Sequence, residues 1–107
     1  MRLNEYQNLS KRTLPNDGLK DNLTNYALGL VGESAEVSEH VKKAVFHGHK
    51  LDVDKLKEEL GDQLHYAAGL ASFLGLTLEE IAYDNIKKLE KRYKDGFSKE
   101  ASRNRVV

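Results

Sequence analysis

The chain has 107 residues, 39% hydrophobic and 32% charged, with 17 Lys and Arg against 17 Asp and Glu and no cysteine. That apolar share supports one domain with a core, burying roughly 65% of the unfolded surface at this size, and excludes a disordered chain. The charge balance disfavours a nucleic-acid partner, and the missing cysteine removes disulfides, thiol nucleophiles and thiolate metal sites together.

The opening MRLNEYQNLS contains no run resembling a signal peptide. No apolar stretch approaches the ~20 residues needed to cross a bilayer, so a soluble cytoplasmic protein without a membrane partner is expected. Leu3, Tyr6, Gln7 and Leu14 predict a short amphipathic helix over about residues 3–12, ahead of the turn cluster TLPNDG around Pro15. Leu23, Ala27, Leu30, Ser34, Val37, Val41 and Ala44 alternate in steps of three and four, which predicts a long helix over about 22–46, stopped at Gly48. Leu56, Leu60, Leu64, Ala67, Ala71 and Leu74 predict a third helix over about 53–74, ended by Gly75. Thr77-Leu-Glu-Glu80 matches a capping box and opens a fourth helix over about 77–94, carrying Ile81, Ile86, Leu89 and Tyr93. No alternating strand pattern and no repeat occurs. The expected fold is an all-α bundle of about four helices, two of them long, in a single domain over 1–97 with residues 98–107 as a tail.

Two carboxylate pairs stand on the long helices, Glu33/Glu36 and Glu59/Asp62. The i, i+3 spacing puts each pair on one face. On a helical wheel Glu59 falls within about 20° of Tyr66 and Leu70, Asp62 about 20° from Phe73, and Glu33 about 20° from Tyr26, with Glu36 about 60° further out. Glu39 and Glu58 occupy the opposite, solvated sides. Acids held against apolar surface need partners, and neither helix contains an arginine. Gly29, Gly32, Gly61 and Gly69 lie along the same flanks at about 1 kcal/mol each relative to alanine. Close helix packing and room for a ligand's phosphates both explain them. An all-oxygen donor set suits Mg²⁺, with Mn²⁺ as substitute. Mg²⁺ shares its coordination with substrate phosphates, which points to phosphate-ester or phosphoanhydride chemistry.

At these residues the chain resembles the MazG-like family of all-α nucleoside triphosphate pyrophosphohydrolases. The resemblance runs from about residue 23 to 97 and rests on Glu33-Ser-Ala-Glu36, Glu59-Leu-Gly-Asp62 and the later NIKKLEKRYKDGF. It implies Mg²⁺-dependent conversion of a (deoxy)nucleoside triphosphate to its monophosphate and pyrophosphate by a homodimer, or by a homotetramer built from dimers. By position, Glu33, Glu36, Glu59 and Asp62 become metal ligands, Lys88 and Arg92 phosphate-facing cations, and Asn85 a polar neighbour. Water attack on the α-phosphorus needs neutralised phosphate oxygens and an activated nucleophile, and a divalent cation supplies both. Glu36 or Glu33 can orient or deprotonate the water. Lys88 and Arg92 share a helix face, and with Lys91 can stabilise charge on the leaving pyrophosphate. Two other functions fit the same residues: a non-catalytic helical oligomer that binds nucleotide or protein, and a related pyrophosphohydrolase acting on a phosphoribosylated metabolite of histidine synthesis.

Several further residues border this pattern. Tyr66, one turn after Asp62, is placed to stack a base or to pack in the core. Tyr6 and Gln7 are candidates for a base pocket completed across subunits. His40 is expected as a partly exposed member of an i, i+4 pair, with support of the metal ligands as the alternative, and His47 and His49 as part of a polar turn, with a base or phosphate contact as the alternative. Asp62 and His65 form D-x-x-H, but the chain lacks any E-x-x-H, so a di-iron bundle is disfavoured. Lys99, Arg103 and Arg105 are expected to be solvated. The long helices carry more apolar edge than one short helix covers, which predicts at least a dimer.

Overall fold

The computed structural model describes residues 1–104. Five α-helices follow in order: α1 Leu3–Ser10, α2 Leu19–Phe46, α3 Val53–Phe73, α4 Leu78–Arg92 and α5 Lys99–Arg103, with a single 3₁₀ turn, Lys11–Thr13, after α1. The all-α expectation holds, and the boundaries move for local reasons. The first helix tightens into the 3₁₀ turn where Thr13 Oγ1 donates to the Ser10 carbonyl, just ahead of the extended Leu14 that Pro15 demands. The second begins three residues early, at Leu19, because Gly18 takes φ +88°, which a side chain resists. The buried Asn22 side chain closes that turn by accepting from the Asp17 N–H. Thr77 caps α4 through the predicted box: its hydroxyl accepts from Glu80 N–H while the Glu80 carboxylate accepts from Thr77 N–H. The expected tail contains a helix, α5, capped by Ser98. Arg105 lies outside the described residues.

The two long helices form an antiparallel hairpin, and its register follows from contacts along its length. Tyr26 meets Phe73 and Tyr66 edge-on, ring centroids 5.2 and 5.1 Å apart. Gln63 Nε2 donates to Ser34 Oγ at 2.7 Å, and near the loop the Asp52 N–H donates to His40 Nε2 at 3.0 Å. A Cβ at Gly29 would overlap the Tyr66 ring, and one at Gly69 the Tyr26 ring. Close packing therefore explains these two glycines. Gly32 and Gly61 have open space where a Cβ would go. Gly61→Ala is accordingly expected to stabilise the protein by up to about 1 kcal/mol, whereas Gly29→Ala forces the helices apart and destabilises it. Urea unfolding of both variants checks the contrast, and destabilisation by Gly61→Ala would contradict it.

The first helix lies across the last turns of α3 and the start of α4. Its fastener is the buried Gln7. Its amide donates to Ser72 Oγ and the Leu76 carbonyl and accepts from the Leu78 N–H. Gln7 is thus spent on holding three segments together, which corrects its placement in a base pocket. Tyr6 packs on the small core of Ala68, Ala71 and Leu78.

The apolar stripes read from the sequence are only partly covered. Ala27 and Val41 of α2, Leu60 and Leu64 of α3, Leu74 just past its end, and Ile81, Ile86 and Leu89 of α4 are all exposed. Away from its contact with α3, α2 also presents Leu28, Val31 and Val45, each about two-thirds exposed. The radius of gyration is 16.8 Å, against about 13 Å for a compact chain of this length. One protomer does not close its own bundle.

Candidate metal and phosphate site

The hairpin register brings the acid pairs face to face. With Gly29 opposite Tyr66 and Ser34 bonded to Gln63, the Glu33–Glu36 turn of α2 meets the Glu59–Asp62 turn of α3. The aromatic packing of Tyr26, Tyr66 and Phe73 fixes this register from one end, and the His40–Asp52 bond fixes it from the other. His40 therefore pins the α2–α3 loop, with its proton on Nδ1, rather than serving an i, i+4 pair.

The acids differ in exposure. Glu59 is 5% exposed, Glu33 is half-buried, and Glu36 and Asp62 reach solvent. The Oε2 atoms of Glu33 and Glu59 are both buried without a hydrogen-bond partner. Burial, then repulsion from Glu36, Asp62 and Glu59, and a hydrogen bond to the Glu36 carboxyl all raise the Glu33 pKa above the ordinary carboxylate value. Among the described residues no group of three His, Asp or Glu converges closely enough to form a ready-made metal cage. Even so, the donor set fits a hard divalent cation. Orphaned, mutually repelling carboxylate oxygens lack a positive partner, and Mg²⁺ needs only one or two of them, completing its shell with water and phosphate.

The raised Glu33 pKa has a measurable consequence. Between the ordinary carboxylate value and the folded value, the native state holds a proton that the unfolded chain has lost. Stability without metal must therefore fall as pH rises through that window. The difference in melting temperature between wild type and Glu33→Gln, followed in chelator from mildly acidic to neutral pH, should move in favour of the variant. A pH-independent difference would contradict the repulsion.

Beside the acids runs an open groove of about 230 Å³, lined by Glu36, Glu39, His40, Lys43 and Glu59. Lys43 pairs with Glu39 at 3.7 Å, both partly exposed. These two lining residues carry no signal in the sequence beyond an ordinary i, i+4 pair. Tyr66 packs against Gly29, Tyr26 and His65 one turn from the acids, and it remains partly accessible. The His65 ring is held by Ser10 Oγ at 2.8 Å on Nδ1, with Thr13 and Tyr26 hydroxyls near Nε2. It serves the α1–α3 contact.

The cations are elsewhere. Asn85, Lys88, Lys91 and Arg92 all stand on α4, whose main packing partner among the described residues is α1. Asn85, Lys88 and Lys91 are exposed and Arg92 is half-buried. Arg92 and Lys91 border a second depression, of about 310 Å³, with Tyr93, Lys94, Asp95 and Ser98. Among the described residues the four acids come together on α2 and α3, while the residues expected to bind phosphate stand on a separate helix, α4.

Comparison with known proteins bears on the same stretch. The family described as the MazG nucleotide pyrophosphohydrolase domain matches residues 21–97, which span both acid pairs and α4. The chain is 33% identical over 89 residues to the Gene 37 protein of Mycobacterium phage L5, covering 79% of this chain and 78% of that protein. No solved structure matches. No helix is long and apolar enough to cross a membrane among the described residues.

Proposed function

The chain belongs to the MazG nucleotide pyrophosphohydrolase domain family, and from that premise we propose that it hydrolyses (deoxy)nucleoside triphosphates to the monophosphate and pyrophosphate, with Mg²⁺ as cofactor and Mn²⁺ as substitute. The observation that carries this reading is the meeting of Glu33/Glu36 with Glu59/Asp62 across the hairpin, two of their oxygens buried and without partners. Glu33, Glu36, Glu59 and Asp62 would hold the cation. Bound there, it neutralises phosphate oxygens and lowers the pKa of coordinated water.

The residues of the chain divide the remaining tasks. Glu36, exposed at the mouth of the groove, is positioned to accept the proton of the attacking water. Attack at the α-phosphorus forms the new P–O bond and breaks the α–β anhydride, releasing pyrophosphate. Lys88 and Arg92, with Lys91 and Asn85 beside them, bind the β- and γ-phosphates and stabilise the charge that develops on the leaving group. The accessible Tyr66 ring offers a face for the base. The working unit is a homodimer or a homotetramer, which covers the apolar stripes left open in the protomer.

Incubation with each of the eight common ribo- and deoxyribonucleoside triphosphates, with products separated by chromatography, tests this reading. Monophosphate and pyrophosphate in equimolar amounts, lost in chelator and restored by Mg²⁺, are expected. Release of orthophosphate and a diphosphate would place the attack at the γ-phosphorus, and no turnover of any triphosphate would overturn the assignment.

A further inference from the structure

The imidazole of His40 has one nitrogen committed and one still to be used. His40 stands one turn beyond Glu36 on α2 and lines the groove beside Glu36 and Glu59. Its Nε2 accepts from the Asp52 N–H at 3.0 Å, and a ring nitrogen that accepts carries no proton. The ring in this bond is therefore neutral, with its hydrogen on Nδ1. The residue that sets this tautomer is itself anchored. Asp52 caps α3, its side chain accepting from the Lys55 N–H at 3.1 Å, and α3 is the helix that carries Glu59 and Asp62. The Nδ1–H meets no acceptor among the described residues.

That arrangement leaves one chemical role. With Nε2 spent and Nδ1 protonated, the ring has no lone pair for a metal ion and none to take a proton from water. Nor does it brace a carboxylate: among the described residues no hydrogen bond joins it to Glu36, Glu39 or Glu59, and Oε2 of Glu59 is buried without a partner. What remains is donation, to an acceptor that enters the groove from outside. Charge along the groove narrows the choice. Glu39 is balanced by Lys43 at 3.7 Å, and Glu36 and Glu59 are two of the carboxylates that would hold the cation. With the cation in place, the wall around His40 carries no uncompensated negative charge to repel an anionic oxygen.

We infer that His40 is a further catalytic residue, its Nδ1–H donating to a non-bridging oxygen of the α-phosphate held at the four acids. Charge develops on that oxygen as water attacks, and a donor oriented beforehand stabilises it without reorganising. The β- and γ-phosphates are left to the cations of α4. The inference rests on the proposed hydrolase function for its rate effect, whereas the phosphate contact itself needs no turnover.

Two substitutions separate the donor from the loop bond. In His40→Gln the amide oxygen reaches the Nε2 position and accepts from Asp52, while nothing replaces the Nδ1–H. In His40→Asn the amide N–H sits near the Nδ1 position, and the Asp52 N–H loses its acceptor. His40→Gln is expected to melt near wild type yet lower kcat at least ~10-fold, with KM changed less. His40→Asn is expected to melt lower and to keep a kcat well above that of His40→Gln. A wild-type kcat in His40→Gln overturns the inference. So does a loss in His40→Asn as large as that in His40→Gln, because the loop bond would then be what activity needs.

The second measurement reads the contact directly. Long-range ¹H–¹⁵N spectra of protein labelled at histidine, with His40 assigned by its absence in His40→Gln, are followed as Mg²⁺ and inorganic tripolyphosphate are added. Tripolyphosphate presents a phosphate chain without a base. The His40 proton should reside on Nδ1 throughout, move downfield on saturation and couple to ³¹P across the hydrogen bond. A proton on Nε2, or an Nδ1–H that does not respond at saturating tripolyphosphate, overturns the inference. Inactivity of the wild type toward every triphosphate would remove the hydrolase reading and leave this titration to decide the phosphate contact.

Discussion

Glu59→Gln is expected to lower kcat at least ~10²-fold, about 2.7 kcal/mol, with Glu33→Gln, Glu36→Gln and Asp62→Asn falling by at least as large a factor. The amide keeps the volume and shape of the carboxylate, so packing around residue 59 survives while the negative charge is lost. Glu59 is the informative member because it is buried and its Oε2 has no partner in the protein, leaving no structural hydrogen bond to confuse with function. Glu58 stands beside it in sequence but is exposed, and Glu58→Gln should stay within about twofold, as exposed charges contribute little. Steady-state kinetics at saturating Mg²⁺, with helicity checked by circular dichroism, separates the two classes. A near-native rate in any of the four amide variants would remove that residue from the cation's ligands.

These four residues were visible in the sequence because their chemistry is unusual for their position. A carboxylate within 20° of an aromatic on a helical wheel is a conflict between charge and burial, and the conflict survives in the structure at Glu59 and Glu33. Helices α2, α3 and α4 were legible for a similar reason: Gly18, Gly48, Gly75 and Thr77 punctuate the periodic stretches, and three of them adopt positive φ. The role of Gln7 was not legible, since an amide on a short amphipathic helix looks like surface until its three partners arrive from segments 65 to 71 residues away. Periodicity likewise identified Leu60, Leu64, Ile81 and Leu89 as apolar stripes without saying what covers them, because a stripe facing the protomer's own core and one facing a neighbour have the same spacing. The four glycines looked equivalent for lack of a register, and only the opposition of Gly29 to Tyr66 and Gly69 to Tyr26 divides them from Gly32 and Gly61.

The same conflict between charge and burial predicts a strong coupling of Mg²⁺ to folding. A cation that binds the folded hairpin and not the unfolded chain should stabilise the protein by about 2.7 kcal/mol at 100 times its Kd, which for a domain of this size raises Tm by on the order of 10 °C. In chelator the order of stabilities should invert. Glu59→Gln removes a buried charge that repels Glu33, and its neutral amide costs less to bury than an unpaired carboxylate, so without metal it should melt above wild type. On titration with Mg²⁺ wild type should rise past it while the variant, with a crippled site, moves little. The crossing of the two curves is the diagnostic feature, because a purely structural Glu59 would leave the variant below wild type at every Mg²⁺ concentration. Thermal melts over a Mg²⁺ series at constant ionic strength measure it, with Ca²⁺ separating specific coordination from general screening: screening treats the two ions alike, whereas the smaller Mg²⁺ holds a stricter octahedral shell.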